Sequence, residues 1–400
     1  MKKINGIKNV KRDIVIIGAG PAGLSLACSL ADTNLKITVI EKQSVKHLSS
    51  PSYDGREIAL THFSKKMLQN LGVWKRISSD LISPIKEAKV LDGNSSYALH
   101  FDSHKVHKEA LGYLVSNHLI KKGLYKEAIT KSNIKIITNT SVVNVSSRKQ
   151  YAFIKTSNKK TIRAPLIVAA DSRFSQTREN MGISASLNDF ERVAIVCKMK
   201  HVKQHHNIAY ECFNYGETLA VLPLMKNTSS IIMTIPAEKS EILMNMNKEK
   251  FNICITNKFK KKFGNMKLLS KRHSYPLVGV FADRFVANRF ALIGDAAVGM
   301  HPVTAHGFNL GLRGQNTLSL QIKFALKRKL DFGSLKILER YELRHRRASK
   351  PLYLGTNAIV KLYTGDTLFS KIVRKAILRI GNNFLPAKKK ILDQLTEISV

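Results

Sequence analysis

Two short apolar runs, DIVIIG and KITVIE, lie at either end of residues 13–42, with a glycine turn and a stretch of helical spacing between them. Such runs bounded by turn signals read as buried strands. The segment therefore predicts strand, turn, helix over 21–32 and second strand: one βαβ unit. In IALTHFSKKMLQNL the apolar positions recur at helical spacing and stop at Gly72, predicting a helix over 58–71. Another helix is predicted over 111–131. Between these two, IKEAKVLDGNSSYALHF reads as two short strands about a turn at Asp92, Gly93 and Asn94.

Strand patterns resume in IKIITNTSVVNVSS, YAFIKTS and TIRAPLIVAAD, the last ending in the acidic turn Asp171, Ser172, Arg173, with Ser175 and Arg178 after it. VAIVCKM, TLAVLPL and SSIIMTIP then alternate strongly enough to predict a separate antiparallel sheet over 190–280, interrupted by a helix over 248–263. The chain returns in RFALIGDAAVGMHPVTAHGFNLGLRGQ with a strand, a loop and a glycine-bearing helix start, and from Gly311 it reads helical to its end. No internal repeat is visible. Within the tail, LFSKIVRKAILRI sets Phe369, Ile372, Val373, Ala376 and Ile377 on one face and Lys371, Arg374, Lys375 and Arg379 on another, a basic amphipathic helix over 368–380.

Length and order make this two intertwined domains: a discontinuous nucleotide-binding unit from 11–80, 105–184 and 285–325, a substrate-binding sheet unit from 81–104 and 185–284, and a basic helical region over 326–400. The 400 residues are 44% hydrophobic and 24% charged, enough to bury a sizeable core. Cys28, Cys197, Cys212 and Cys254 are widely spaced, which argues against a disulfide framework, a zinc cluster or a dithiol pair and for a reducing cytoplasm. The basic start MKKINGIKNVKR runs into a strand pattern rather than the apolar region of a signal peptide. No apolar run approaches the roughly 20 residues of a membrane span. With 66 Lys+Arg against 28 Asp+Glu the net charge is +38, which fits nucleic acid, anionic lipid or lysine-biased coding. The lysines lie among Asn, Ser and Ile without aromatic stacking platforms, which argues against nucleic acid. His205 and His206 read as exposed loop residues.

Chemistry concentrates first in GAGPAG, where Gly18, Gly20 and Gly23 flank Pro21 and Ala22 between a strand and a helix. The first glycine permits the tight turn, the second admits a pyrophosphate, and the third lets helix and strand pack closely. The helix N-terminus then offers free N–H groups and the positive end of its dipole. Glu41, ending the second strand, stands where a carboxylate accepts both ribose hydroxyls. An adenine dinucleotide is predicted; this unit alone leaves NAD and FAD open.

GAGPAG, the aspartate turn and the distant ALIGDAAVGMHPVTAHGFNLG together resemble the flavoprotein aromatic hydroxylases of the para-hydroxybenzoate hydroxylase type. Within them the chain is most similar to the ubiquinone-biosynthesis hydroxylases, through DGREIALTHFSKKMLQNLGVW, LGYLVSNHLI, ADSRFS and HPVTAHGFNLGLRGQ, the last two pointing to the demethoxyubiquinol hydroxylase branch. The resemblance implies an α/β fold: a Rossmann-like FAD-binding domain, an inserted antiparallel sheet and C-terminal helices. It implies FAD, with Asp295 on the ribityl chain, the loop from Pro302 through Gly307, Phe308 and Asn309 bordering the isoalloxazine, and Arg56 on the pyrophosphate. FAD contacts are also implied at Asn117, Val142 and Asp171. A surface ion pair with Asp54 or Glu57 is the other reading of Arg56. Ser172 replaces the family's usual glycine, where a Cβ limits close approach, and leaves the reductant open between NAD(P)H and an external donor.

The chemistry so implied is attack of a flavin C4a-hydroperoxide, formed with O2, on an electron-rich phenol or quinol ring bearing a polyprenyl chain. The protein must add a dry pocket, ring placement and a base for the phenol proton. His306 and His301 flank the flavin loop; His306, with Pro302 beside it, is the catalytic candidate, and capping the loop is its alternative role. Other ubiquinone-biosynthesis enzymes and an anionic membrane surface, met by the basic helix on the inner face of the cytoplasmic membrane, are the implied partners. Among competing flavoenzymes, a halogenase's paired tryptophans are missing, since Trp74 is the one tryptophan, and scattered cysteines do not suit a disulfide-using quinone reductase. A prenyl-chain reductase and a non-catalytic flavoprotein of the quinone-biosynthesis assembly remain as alternatives.

Overall fold

Strands Ile14–Ile17, Ile37–Ile40 and Leu166–Ala169 have every residue buried, as strands covered by helices on both faces must. They form the centre of a six-stranded sheet in the order Val286–Ala287, Phe290–Leu292, Leu166–Ala169, Ile14–Ile17, Ile37–Ile40, Ile134–Ile137. All neighbours are parallel except the first pair, an edge hairpin. Helix Pro21–Ser29 connects the first two strands of the chain in this sheet and packs against helices Asn117–Ala128 and His306–Lys327. The computed structural model describes residues 10–93, 97–214, 216–301, 306–364, 379, 383 and 385–397.

A second, nine-stranded sheet runs Val298–Gly299, His273–Ala282, Ala185–His201, Thr228–Pro236, Glu217–Pro223, Ile208–Asn214, Glu87–Asp92, Ala98–Asp102, with Met266–Leu268 paired beside Ala185–His201. Its pairs are antiparallel but for one: Ile208–Asn214 lies parallel to Glu87–Asp92, a strand from far earlier in the chain that no hairpin joins to it. One face packs Ile195, Cys197 and Met233 against Phe251 and Ile255 of helix Lys248–Lys258. The opposite face carries Ala194, Val196 and Leu277 with Phe190, Ile232 and Tyr275.

Several elements depart from the expected pattern. The segment expected as a helix over 58–71 is a strand, Glu57–Leu60, followed by helix His62–Asn70. Thr61 caps that helix by accepting from the Ser64 N–H at 3.2 Å. Likewise 111–131 divides into strand Gly112–Ser116 and helix Asn117–Ala128. The two strands pair with each other, so a long-range ladder overrode local helical spacing. Strand Ser83–Ile85 pairs with Gly112–Ser116 as well, completing a small three-stranded sheet. TIRAPLIVAAD is two strands in different sheets, broken at Pro165. His205 is buried, not exposed, whereas His206 is exposed.

Beyond helix His306–Lys327, a turn held by the Arg289–Asp331 ion pair leads into helix Leu335–Thr364, and Leu385–Thr396 forms the last described helix. Asn94, Pro302 and, apart from Arg379, the basic segment 368–380 lie outside the described residues. Among the described residues no helix is long and apolar enough to cross a membrane.

Candidate active site

Ile17 stands opposite Ile40 on one side and Ala169 on the other, and Ala169 stands opposite Leu292. The four strands therefore end at one level, and Gly18, Glu41, Asp171 and Asp295 leave the sheet along one edge. Connections run away from Ile14–Ile17 in opposite directions, so a crevice opens there, the usual nucleotide position in such sheets.

Each glycine of the fingerprint answers a different demand. Gly18 has φ 105°, and a Cβ would lie 2.4 Å from the Ala170 carbonyl oxygen; at Gly23 it would lie 2.0 Å from the Gly18 oxygen. Gly20, the N-cap of helix Pro21–Ser29, would meet nothing within 4 Å. Its Cβ would instead enter the space before the helix N-terminus, where first-turn N–H groups lack intrahelical acceptors. Pro21 sacrifices no bond there and Ala22 is small. An oxyanion such as a pyrophosphate fits this cradle.

Glu41 is buried, with one carboxylate oxygen accepting the Ala19 N–H at 2.7 Å and the other the Gln43 N–H at 2.8 Å. Both oxygens keep a lone pair for ribose hydroxyls. Thr140 donates its N–H to the Glu41 carbonyl at 3.0 Å, bringing the start of strand Val142–Ser147 to the same end of the crevice. On the other side, Gly294 at φ 60° passes so close to Ala22 that a Cβ would stand 2.9 Å from the alanine methyl. Asp295, 41% exposed, accepts from Arg173 at 3.2 Å, and Arg173 also donates to the Val278 carbonyl at 3.0 Å. That arginine ties the turn at Asp295 to the nine-stranded sheet.

Asp171 is occupied locally: Ser175 donates to it at 2.6 Å and Thr177 at 2.8 Å. It locks its own turn. Ser172 takes φ 129°, a glycine conformation forced on a residue with a Cβ, which stores about 1–3 kcal/mol of strain. Arg56 is ion-paired with Asp54 at 2.6 Å, its side chain 47% exposed, and lies over the Tyr275 ring. Burial pushes the Asp54 carboxyl up, but the Arg56 hydrogen bonds and charge outweigh it and hold the group below its ordinary range. Asn117 donates its amide to Asp54 at 2.7 Å. Asn309, 2% exposed, donates to the Ala59 carbonyl at 2.8 Å and accepts from the Thr61 N–H at 3.2 Å, clamping the strand–helix junction.

His306 is buried at the first turn of its helix; a Cβ on neighbouring Gly307 would meet nothing within 4 Å, and Phe308 is partly buried against the central core. His301 packs edge-on to Phe190 at 4.8 Å, and burial, aided by the Arg192 charge, pushes its pKa down to about 4. Sequence reading passed over Arg173 as a partner of Asp295; Arg178, noted after the aspartate turn, is buried and donates to the Arg173 and Ala296 carbonyls at 3.1 and 3.4 Å. Sequence reading also passed over Lys198 of strand Ala185–His201, which pairs at 3.0 Å with buried Glu57 of strand Glu57–Leu60. Lone charges inside apolar strands, such as VCKMK, were the available signal.

A family model described as FAD binding domain matches residues 11–352. The chain is 46% identical over 388 residues to Ubiquinone hydroxylase UbiM of Neisseria meningitidis, covering 96% of this chain and 84% of that protein. It is 25% identical over 337 residues to the 3-demethoxyubiquinol 3-hydroxylase of Escherichia coli, covering 84% of this chain and 86% of that protein. The crystal structure of p-nitrophenol 4-monooxygenase PnpA from Pseudomonas putida shares its fold, with a TM-score of 0.77 at 16% identity over 98% of this chain and 100% of that one. With a nucleotide crevice of this geometry and these relatives, the chain belongs to the FAD-binding hydroxylase family that includes the ubiquinone hydroxylases.

Proposed function

We propose that this protein hydroxylates the aromatic ring of a polyprenylated phenol or quinol intermediate of ubiquinone biosynthesis, of the demethoxyubiquinol type, using FAD and O2. The observation that carries the reading is the open cradle at Gly20, with Glu41 on one side and Asp295 on the other, beside the half-apolar face of the nine-stranded sheet. Similarity to ubiquinone hydroxylases supports the substrate class.

Bound FAD supplies the reaction with O2 and the oxygen atom delivered to the ring. The chain's own residues bind, orient and exclude water. In this reading Gly18, Gly20, Gly23, Pro21 and Ala22 receive the pyrophosphate, Glu41 the ribose hydroxyls and Asp295 the ribityl chain. Val142 and Asn117 border the adenosine half. Arg56 reaches the pyrophosphate by leaving Asp54, and Asp171 holds the turn beneath it. Pro302, His306, Gly307, Phe308 and Asn309 form the loop and helix start at the reacting ring. The reductant is NAD(P)H or an external donor. Segment 368–380 attaches the protein reversibly to anionic lipid at the cytoplasmic face, each basic residue contributing about 1 kcal/mol.

Flavin-loaded protein given a prenylphenol and reductant should consume O2 and yield a product heavier by one oxygen atom. A product gaining hydrogen instead would establish the prenyl-chain reductase, and no turnover with any prenylphenol the non-catalytic flavoprotein. Mass spectrometry of lipids from cells lacking the protein should reveal the unhydroxylated precursor and hence the ring position.

A further inference from the structure

We propose that the Glu211 carboxylate accepts the hydroxyl proton of the phenol or quinol ring during hydroxylation, an assignment that rests on the hydroxylase reading above. In strand Ile208–Asn214, Tyr210 and Cys212 point into the core that includes helix Lys248–Lys258, so strand alternation turns Glu211 to the opposite face. There its cross-strand neighbour is Ala220, whose own neighbour is Ile232. Ile232 packs in the cluster of Ala194, Val196 and Leu277 together with Phe190, the ring that meets His301. The same face thus runs from Glu211 to the loop leading into helix His306–Lys327.

Its other border is the C-terminal helix. Val90, in register beside Glu211, packs in a cluster with Leu392, and Glu397 at the end of that helix ties back to Thr61 at 2.7 Å and Arg313 at 3.3 Å. Glu211 therefore stands on a face that has His301 against Phe190 at one border and Leu392 of the C-terminal helix at the other. The Thr218 hydroxyl hydrogen-bonds its carboxyl, and on the same face the Ser230 hydroxyl is fully buried without a hydrogen-bond partner, a second polar point for an oxygen-bearing ring.

The titratable groups bordering this face include Asp92 on the adjacent strand, Lys388 and Asp393 on the C-terminal helix, Arg192 and Lys198 on the far strand, the latter paired with Glu57, Tyr275 beyond them, and His301 and His306. Desolvation raises the Glu211 pKa to about 8, opposed by the Thr218 hydrogen bond. A base poised near neutrality is matched to removing a phenol proton. In the step, the substrate O–H bond breaks, its electron pair moves toward the ring, and an O–H bond forms on Glu211. When aromaticity is restored, the C–H bond at the hydroxylated carbon breaks, its electron pair stays in the ring and its proton goes into the water formed from the second oxygen atom; the proton on Glu211 returns to the ring oxygen, so the carboxylate is regenerated without net change.

The test compares flavin-loaded wild type, Glu211→Gln, Thr218→Val and His306→Gln for hydroxylated product from a short-chain prenylphenol across a pH range of about 6 to 10. In the wild type the rate should rise with pH through an ionisation near the about 8 of Glu211. Glu211→Gln should keep the flavin spectrum, lose product about 100-fold and lose that rising limb. Thr218→Val should shift the limb to higher pH, because the lost hydroxyl favoured the ionised form. A Glu211→Gln enzyme with the wild-type rate and profile overturns the assignment, as does a limb abolished by His306→Gln but kept by Glu211→Gln. Should Glu211→Gln fail to hold FAD, an unmoved limb in Thr218→Val overturns it equally. No product from the wild type overturns the hydroxylase reading itself, a result recognisable without any variant.

Discussion

Gly23 presses against the Gly18 carbonyl while Gly20, two residues before Ala22 on the same turn, faces open space. The two positions should separate folding from cofactor binding. Gly23→Ala forces backbone apart and should destabilise the protein by about 3 kcal/mol. Gly20→Ala, at φ −72°, is conformationally free and should change stability by no more than about 1 kcal/mol. Its methyl would nonetheless stand in the pyrophosphate cradle and weaken FAD at least about 10-fold, since 1.4 kcal/mol of lost contact is enough. Thermal unfolding of the apo-proteins and flavin fluorescence titration check both; a Gly20→Ala protein that binds FAD like the wild type would remove the cradle from its assigned place. The side chains around these glycines follow a similar division. The Glu41 carboxylate accepts two backbone N–H groups and that of Asp295 meets Arg173, whereas Asn309 spends its amide on the Thr61 N–H and the Ala59 carbonyl and Asp171 its carboxylate on the Ser175 and Thr177 hydroxyls.

Helix Leu385–Thr396 joins two parts of the molecule that share no ladder with it. Leu392 enters the apolar cluster on strands Glu87–Asp92 and Ala98–Asp102, and Glu397 reaches Thr61 and Arg313 on the nucleotide-binding side. Glu397 is buried, and the Thr61 hydroxyl and the Arg313 guanidinium both meet its carboxylate. Replacing it as Glu397→Gln should loosen this helix by about 1–2 kcal/mol, read as roughly 5- to 30-fold faster amide exchange over 385–396. Exchange in Ile14–Ile17 should stay unchanged. Equal acceleration in both segments would mean that the helix is not held locally by this contact.

Across the whole molecule, acid should unfold the protein in two stages. His345 is buried and desolvation pushes its pKa down to about 3; His205 and His301 are likewise pushed down to about 4 by burial, with His201 and Arg192 adding repulsion. In the unfolded chain each would titrate near the ordinary histidine value of 6.5. Folded-state values below unfolded ones mean that the unfolded chain binds more protons in that window, so stability is full above it and falls as pH drops from 6.5 toward 4. Each histidine contributes a slope of about 1.4 kcal/mol per pH unit there. Below that range the carboxylates of Asp54 and Asp331, both held low by arginines, protonate and weaken the fold further. Denaturant titrations at a series of pH values check this; flat stability between 6.5 and 4 would show that the three histidines are not buried neutral. The net charge of +38 adds repulsion throughout.

How much was legible in advance depends on the range of the interactions involved. The βαβ unit and the tight-turn and close-packing glycines Gly18 and Gly23 could be read from the chain because each rests on local periodicity or on a steric demand at one residue. Strands Glu57–Leu60 and Gly112–Ser116 could not, since each is a strand only because the other pairs with it. The role of Arg173, the burial of His205 and the face on which Glu211 stands were equally hidden in the linear order. From sequence alone came the nucleotide fingerprint and the periodic elements, both consequences of near-neighbour chemistry. Tertiary structure alone decided which carboxylates face the crevice and which are spent on the scaffold, because that follows from strand register and burial between residues far apart in the chain.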